Sequence, residues 1–174
     1  AVIAVAGEEN DTDFESKTGL PPHSIEIVAY GGLDEDVAKA IYRRKAAGIQ
    51  TYGNTTVSVV KADGRLYDVH FSRPTPVGIW VKVFNLKTNS KFPLDGIERI
   101  KQAVIQHIGV NTRGGLNIGQ DVINVTLPTI VLKVPGVVDF DLQISSDGEH
   151  FSWKNIEVAA REKAVTDESM VIVE

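Results

Sequence analysis

Residues 19–53, GLPPHSIEIVAYGGLDEDVAKAIYRRKAAGIQTYG, carry three kinds of structural punctuation in a definite order. Pro21 and Pro22 hold the chain extended and lack backbone donors, so a strand begins only after them. Ser24 to Tyr30 then alternate, with Ile25, Ile27 and Ala29 on one face. Gly31-Gly32 breaks that strand. Asp34 offers a side-chain acceptor to the bare amides of a first helical turn, and Glu35 and Asp36 suit the positive end of the helix. Arg43, Arg44 and Lys45 lie at the opposite end, and Gly48 is a natural stop. The stretch therefore predicts strand, turn, helix, stop.

At helical spacing Leu33, Val37, Ala40, Ile41 and Ala47 share one side, the stripe a helix lays on a sheet. Arg44 falls in the middle of it. Its stem is expected to lie over apolar surface with the head in water, the alternatives being a buried ion pair or a contact with a partner.

Toward the N-terminus, Val2 to Ala6 reads as a strand, and Gly7 to Thr18 as a polar loop holding Glu8, Glu9, Asp11, Asp13 and Glu15. Clustered carboxylates raise a calcium reading, but the loop lacks the regular ligand positions and central glycine of an EF-hand, so a solvated acidic loop is expected. Toward the C-terminus, Thr55 to Lys61 and Arg65 to Phe71 are strands joined by Asp63-Gly64, a strong hairpin signal. Alternation puts Tyr67, Val69 and Phe71 on one face, with Asp68 and His70 on the other. Ser72-Arg73-Pro74-Thr75-Pro76 is read as a linker, its prolines stiffening the chain. This places a domain boundary there, between a β-β-α-β-β unit at 1–74 and a second unit at 75–174.

The second unit is expected to run β-α-α-β-β. Val77 to Phe84 is a strand with Val77, Ile79, Val81 and Val83 on one face. A helix after Pro93 and Asp95 carries the stripe Ile97, Ile100, Val104, Ile105 and Ile108, with Lys101 near its middle and His107 at its margin. Gly109 to Gly119, including Arg113-Gly114-Gly115, lacks the Gly-Lys-Ser/Thr ending of a phosphate loop and reads as a turn between helices. Asp121 to Thr129 is expected to be a short helix interrupted at Pro128, with strand left open by its β-branched residues. Val137 to Ile144 is a strand with Val138, Phe140, Leu142 and Ile144 inward and Asp139, Asp141 and Gln143 outward. Asp147-Gly148 turns the chain, Phe151 to Val158 returns as a strand, and Met170 to Val173 ends extended. The fold class is α+β.

Composition narrows the function. Of 174 residues, 18 are Lys or Arg and 23 are Asp or Glu, a net charge of −5 that argues against general nucleic-acid binding, and only Arg43 to Lys45 forms a basic cluster. There is no cysteine, hence no disulfide or thiolate metal site, which fits assembly in a reducing cytoplasm. No apolar run approaches the ~20 residues of a membrane helix, and no membrane insertion is expected. The chain lacks an initiator Met and opens in an apolar run, and is read as a C-terminal fragment of a longer protein.

Three blocks in order, GLPPHSIEIVAYGG, DVAKAIYRRKAAGIQTYGN and VHFSRP, resemble the baseplate J-like family of contractile-tailed phages and prophages, which includes the Mu-type tail baseplate proteins. The resemblance continues through PGVVDFDL and covers essentially the whole chain. It implies a virion structural protein of a contractile tail baseplate, assembled in the bacterial cytoplasm and contacting wedge and hub tail proteins and further copies of itself. It also implies two helices in the middle of the second unit and no catalytic residue; no cofactor or metal is expected. On this reading the candidate interface residues are Arg44, Tyr67 and Trp80, of types that often anchor protein contacts. The alternative is a small α/β hydrolase using Asp68 with His70, or one of the acidic strand positions Asp139 and Asp141, which requires those groups to converge.

Overall fold

In a computed structural model that describes residues 2–110 and 115–174, the strand and helix of residues 19–53 are joined by a turn in which Gly31 and Gly32 both adopt positive φ. That conformation costs glycine nothing and β-branched residues a great deal. The protein is α+β and divides into two compact units, Ala1–Pro74 and Thr75–Glu174.

In the first unit, β1 (Val2–Asn10) pairs antiparallel with β2 (Ser24–Gly31), so that Val5 faces Ala29 and Glu9 faces Ile25. The expected N-terminal strand thus runs on through Gly7 to Asn10, residues first assigned to the acidic loop. Helix α1 (Asp34–Arg44) follows, then a short strand β3 (Gln50–Tyr52), which pairs parallel with β2 and makes the unit β-β-α-β-β-β. Three residues are too few to show periodicity. Strands β4 (Thr55–Val60) and β5 (Leu66–Phe71) form the hairpin, with Val57 opposite Val69 and Val59 opposite Tyr67. At its turn Asp63 Oδ1 accepts the Arg65 N–H at 3.0 Å.

Helix α1 lies chiefly against β4 and β5. Its buried residues are Val37, Ala38 and Ile41, which meet Ala29, Val59, Val69 and Phe71 in one core. The expected stripe is therefore rotated: Leu33, Ala40 and Ala47 are exposed. The helix ends at Arg44, where the Lys45 N–H closes on the Ile41 carbonyl, before Gly48 is reached.

In the second unit, β6 (Thr75–Gly78) and β7 (Trp80–Thr88) replace the single strand expected over 77–84. The chain changes partners at Ile79: β6 runs parallel to β9 (Glu162–Val165), while β7 pairs with β8 (Val137–Ser145) and β10 (Val171–Val173). Helix α2 (Gly96–Ile108) buries Ile100, Val104, Ile105 and Ile108 against this sheet, whose contribution includes Ile79, Val81, Val83, Leu142 and Ile144. Ile97, expected in the stripe, is 48% exposed. Pro128 does not interrupt a helix but opens one: a 3-10 turn at Asn124–Thr126 leads into α3 (Leu127–Val131), where the missing N–H of proline costs nothing in the first turn.

Residues 151–158 form no strand. Ser152 and Ile156 make isolated bridges to Ile144 and Val122, and the returning strand is β9. Lys163 disguises it, being wholly buried with its ammonium group donating to the Leu116 carbonyl at 2.7 Å. Burial lowers its pKa. The Asn111–Gly114 part of the expected turn, with Arg113, lies outside the described residues.

Candidate interaction surfaces

The segment expected to be a linker is built into the fold. Ser72 is buried and continues β5 alongside β2: its N–H donates to the Ile27 carbonyl and its carbonyl accepts from the Ala29 N–H. Its hydroxyl donates to the buried Glu26 carboxylate at 2.5 Å. Arg73 then reaches over the β2–α1 turn. Its guanidinium donates to the carbonyls of Ala29, Gly31 and Gly32 at 2.8, 2.6 and 2.8 Å, and to Asp34 Oδ1 at 2.6 Å. It also stands over the Phe71 ring, 5.2 Å from its centroid. Asp34 is thus not the expected helix cap. Leu33 occupies that position without a side-chain bond, and the Asp34 carboxylate is held by Arg73 instead.

The acidic loop is organised from within. The Asn10 side chain is buried and donates to the carbonyls of Phe14, Leu20 and Pro21, while its oxygen accepts the Thr12 hydroxyl. Glu8 accepts the Thr18 hydroxyl, and His23 sits 3.0 Å from Asp13 and 3.7 Å from Asp11. Among the described residues no three His, Asp or Glu side chains gather as metal ligands. Asn10 was missed in the sequence because a lone asparagine at a strand end looks like any turn residue.

Asp68 and His70 lie on the outer face of the hairpin, as alternation requires, and each bonds across the strand pair. Ser58 Oγ donates to Asp68 Oδ1 at 2.6 Å, and Thr56 Oγ1 lies 3.0 Å from His70 Nδ1. No hydrogen bond joins Asp68 to His70 among the described residues, so the geometry of a base and its orienting acid is not assembled. Asp139 and Asp141, in the other unit, are tied to Lys87 and Asn85 at 2.7 and 2.8 Å. The Lys87 ammonium holds the Asp139 carboxyl below its ordinary value, the direction opposite to that of a general acid. His107 on α2 is half-buried, and burial together with the nearby Lys133 lowers its pKa.

The three candidate interface residues are placed differently. Tyr67 is half-buried in the first unit, 5.3 Å from the Tyr42 ring, with the Lys45 and Lys61 ammonium groups each 5.1 Å from its centroid. Trp80 is half-buried over Gly78 and Gly148, where a Cβ would come within about 3 Å of the indole. Arg44 is exposed. It borders a largely apolar groove of about 460 Å³ whose other walls are Val5, Ile25, Ile27 and Ala29 of the sheet, Val37, Ala40 and Ile41 of α1, and Lys45 just past its end.

The second unit has an exposed apolar patch of its own, centred on Trp153. That residue is 66% exposed and is accompanied by Val125, Leu132 and Val138, with Pro128 and Phe140 beside them and Asp139, Asp141 and Asn155 at the same surface. Val138 was expected inward but is exposed; on β8 Val137 and Phe140 pack partly buried against the core, and Leu142 and Ile144 are buried in it. Asn124 anchors the patch: its N–H donates to Asn155 Oδ1 and its amide to the Trp153 carbonyl, leaving its own buried oxygen without a partner. Trp153 is not among the expected interface residues because residues 151–158 read as a returning strand. Its rarity, one of two tryptophans, was the available signal. Compared with protein-family profiles and with curated proteins, the chain matches none.

Proposed function

We propose that the protein is a structural component of a contractile phage or prophage tail baseplate, a wedge assembly protein acting through contacts with wedge and hub proteins and further copies of itself. The three sequence blocks of the baseplate J-like family support this reading. The observation that carries it is the exposure of apolar side chains in two places, the α1 groove and the Trp153 patch, while Asp68, His70, Asp139 and Asp141 are bonded in separate pairs. An assembly protein works by presenting such surfaces, and aromatic and arginine side chains anchor them most often.

The test is capture. The immobilised chain is exposed to a lysate in which a contractile-tailed phage or prophage has been induced, and bound proteins are identified by mass spectrometry. Recovery of wedge, hub or sheath-initiating proteins is expected. Recovery of host metabolic enzymes alone, or of nothing, would remove the assembly reading. By itself the chain should be monomeric or weakly dimeric in light scattering, since its partners complete its interfaces.

A further inference from the structure

The groove of the first unit is a half-covered sheet. Directly paired residues of antiparallel strands share a face, so Val5, Gly7 and Glu9 lie on the same side as Ala29, Ile27 and Ile25. Helix α1 closes over the Ala29 end, which is fully buried. It leaves Ile25 and Ile27 half-buried and Val5 61% exposed. Gly7 has no side chain, and the Ile27 side chain lies over it, where a Cβ would meet Ile27 Cδ1 at 3.4 Å.

The dimensions fit one kind of occupant. From Ile25 to Ala29 the floor extends about 13 Å at ~3.3 Å per residue. The α1 wall from Val37 to Arg44 extends about 10 Å at ~1.5 Å per residue, two helical turns. A strand added to the β1 edge would widen the sheet and leave its face bare. A helix beside α1, at the usual ~8–10 Å between axes, would cover that face.

Charge specifies the occupant further. Lys45 is engaged, donating to the Ile49 carbonyl and lying over Tyr67, whereas Arg44 makes no hydrogen bond or ion pair among the described residues. The groove is lined by apolar side chains apart from Arg44 and the engaged Lys45, and an unpaired guanidinium at its border is matched by a carboxylate, which it can bind in a two-pronged fashion.

We propose that this groove docks an amphipathic helix of a partner protein, two turns of which lay an apolar stripe on Val5, Ile25, Ile27 and Ala40 and bring an aspartate or glutamate to Arg44. The inference rests on the assembly reading and names the chemistry of one contact.

The probes are fluorescein-labelled, lactam-stapled helical peptides of about 15 residues, long enough to hold a helix once stapled. Each carries leucines at i, i+3, i+4 and i+7. One set ends the stripe with glutamate, at either end, the second with lysine, and a third is scrambled. Anisotropy with the whole chain should show a glutamate peptide binding about tenfold or more tighter than its lysine counterpart, the scale of one charge-assisted contact. Arg44→Glu should invert that order, and Ala40→Trp, which fills the groove, should abolish binding of both. Both positions are exposed, and unchanged circular dichroism verifies the fold of each variant. Absence of binding to any patterned peptide, binding indifferent to peptide charge, or binding untouched by both variants would overturn the proposal. Capture separates the two readings. Tail proteins retained equally by Arg44→Glu and Ala40→Trp would remove the docking helix and leave the assembly role standing. Charge-selective peptide binding by a chain that captures no tail protein would do the reverse.

Discussion

Helix α2 of the second unit buries Ile100, Val104, Ile105 and Ile108, whereas α1 of the first buries only Val37, Ala38 and Ile41 and turns Leu33 and Ala40 outward. In sequence both carry an apolar stripe at the same period. The difference lies in what arrives to cover it: α2 meets β10 and α3, while α1 meets the β4–β5 hairpin and leaves half of the β1–β2 face open. Periodicity tells which side of a helix is apolar and says nothing of how many neighbours it will have. A stripe with too few neighbours within its own unit is a surface that another chain can complete.

This contrast can be broken or sharpened by experiment, because the chain labels its units separately. All four tyrosines, Tyr30, Tyr42, Tyr52 and Tyr67, lie in the first unit, and both tryptophans, Trp80 and Trp153, in the second. Selective excitation of tryptophan therefore follows one unit, and the near-ultraviolet tyrosine signal chiefly the other. The largest effect is expected from Ile100→Ala, which empties a fully covered site and should cost about 4 kcal/mol in urea unfolding followed by tryptophan fluorescence. Ile97→Ala, on the same helix but exposed, should cost under about 1 kcal/mol. A comparable loss at both positions would show that α2 is not the covered helix described here.

Next in size is Arg73→Ala. It strips three carbonyls and Asp34 of a charged donor and should cost about 3 kcal/mol, seen in the tyrosine transition. Arg73→Lys should recover only part of this, since an ammonium group cannot reproduce the planar fork.

The response to pH is smaller and differs in sign of approach. Asp139, Asp147 and Asp167 of the second unit have folded pKa values below the ordinary carboxylate value. Asp139 is held by Lys87, Asp147 by the His150 and Glu149 amides and the Ser145 hydroxyl, and Asp167 by Ser169. Their contribution is complete above about pH 4 and is lost as the pH falls through the depressed values. The tryptophan signal should therefore report falling stability on acidification below about pH 4. Burial raises the Tyr30 phenol, so its contribution is present below about pH 10 and is lost as the pH climbs through the raised value, an alkaline limb read in the first unit. The smallest effect is expected from Trp153→Ser, within about 0.5 kcal/mol in thermal or urea unfolding, because the exposed ring supports little of the core. A loss above about 2 kcal/mol would make the patch a structural element rather than a free surface.

Where periodicity or a turn dipeptide carried the information, the fold was legible: β2, the Gly31-Gly32 break, α1, the Asp63-Gly64 hairpin, α2 and β8 all occur where the pattern puts them. The misses share a cause, which is that tertiary partners decided the outcome. Ser72 and Arg73 look like linker residues until β2 is beside them. Glu162 and Lys163, two charges in a row, do not announce a strand, yet β6 pairs with them and the Leu116 carbonyl takes the ammonium group. Residues 151–158 have strand composition but reach only two bridges. Of the candidate surface residues, Arg44 is exposed and Tyr67 is half-buried between Tyr42 and two lysines. Trp80 is half-buried over glycines whose lack of a side chain makes the space. A local pattern cannot reveal which of two tryptophans rests on a glycine.

The Arg73 clasp also has a mechanical meaning. The units are joined through the Pro74–Thr75 peptide, so tension in the chain enters the first unit beside Arg73 and the second beside Thr75. On one side Ser72 runs parallel to β2 and is followed by the guanidinium bonds. On the other, β6 runs parallel to β9 from its first residue, with the Thr75 N–H on the Arg161 carbonyl. The junction is therefore tied into hydrogen-bonded backbone on both sides, within each unit by its own partners.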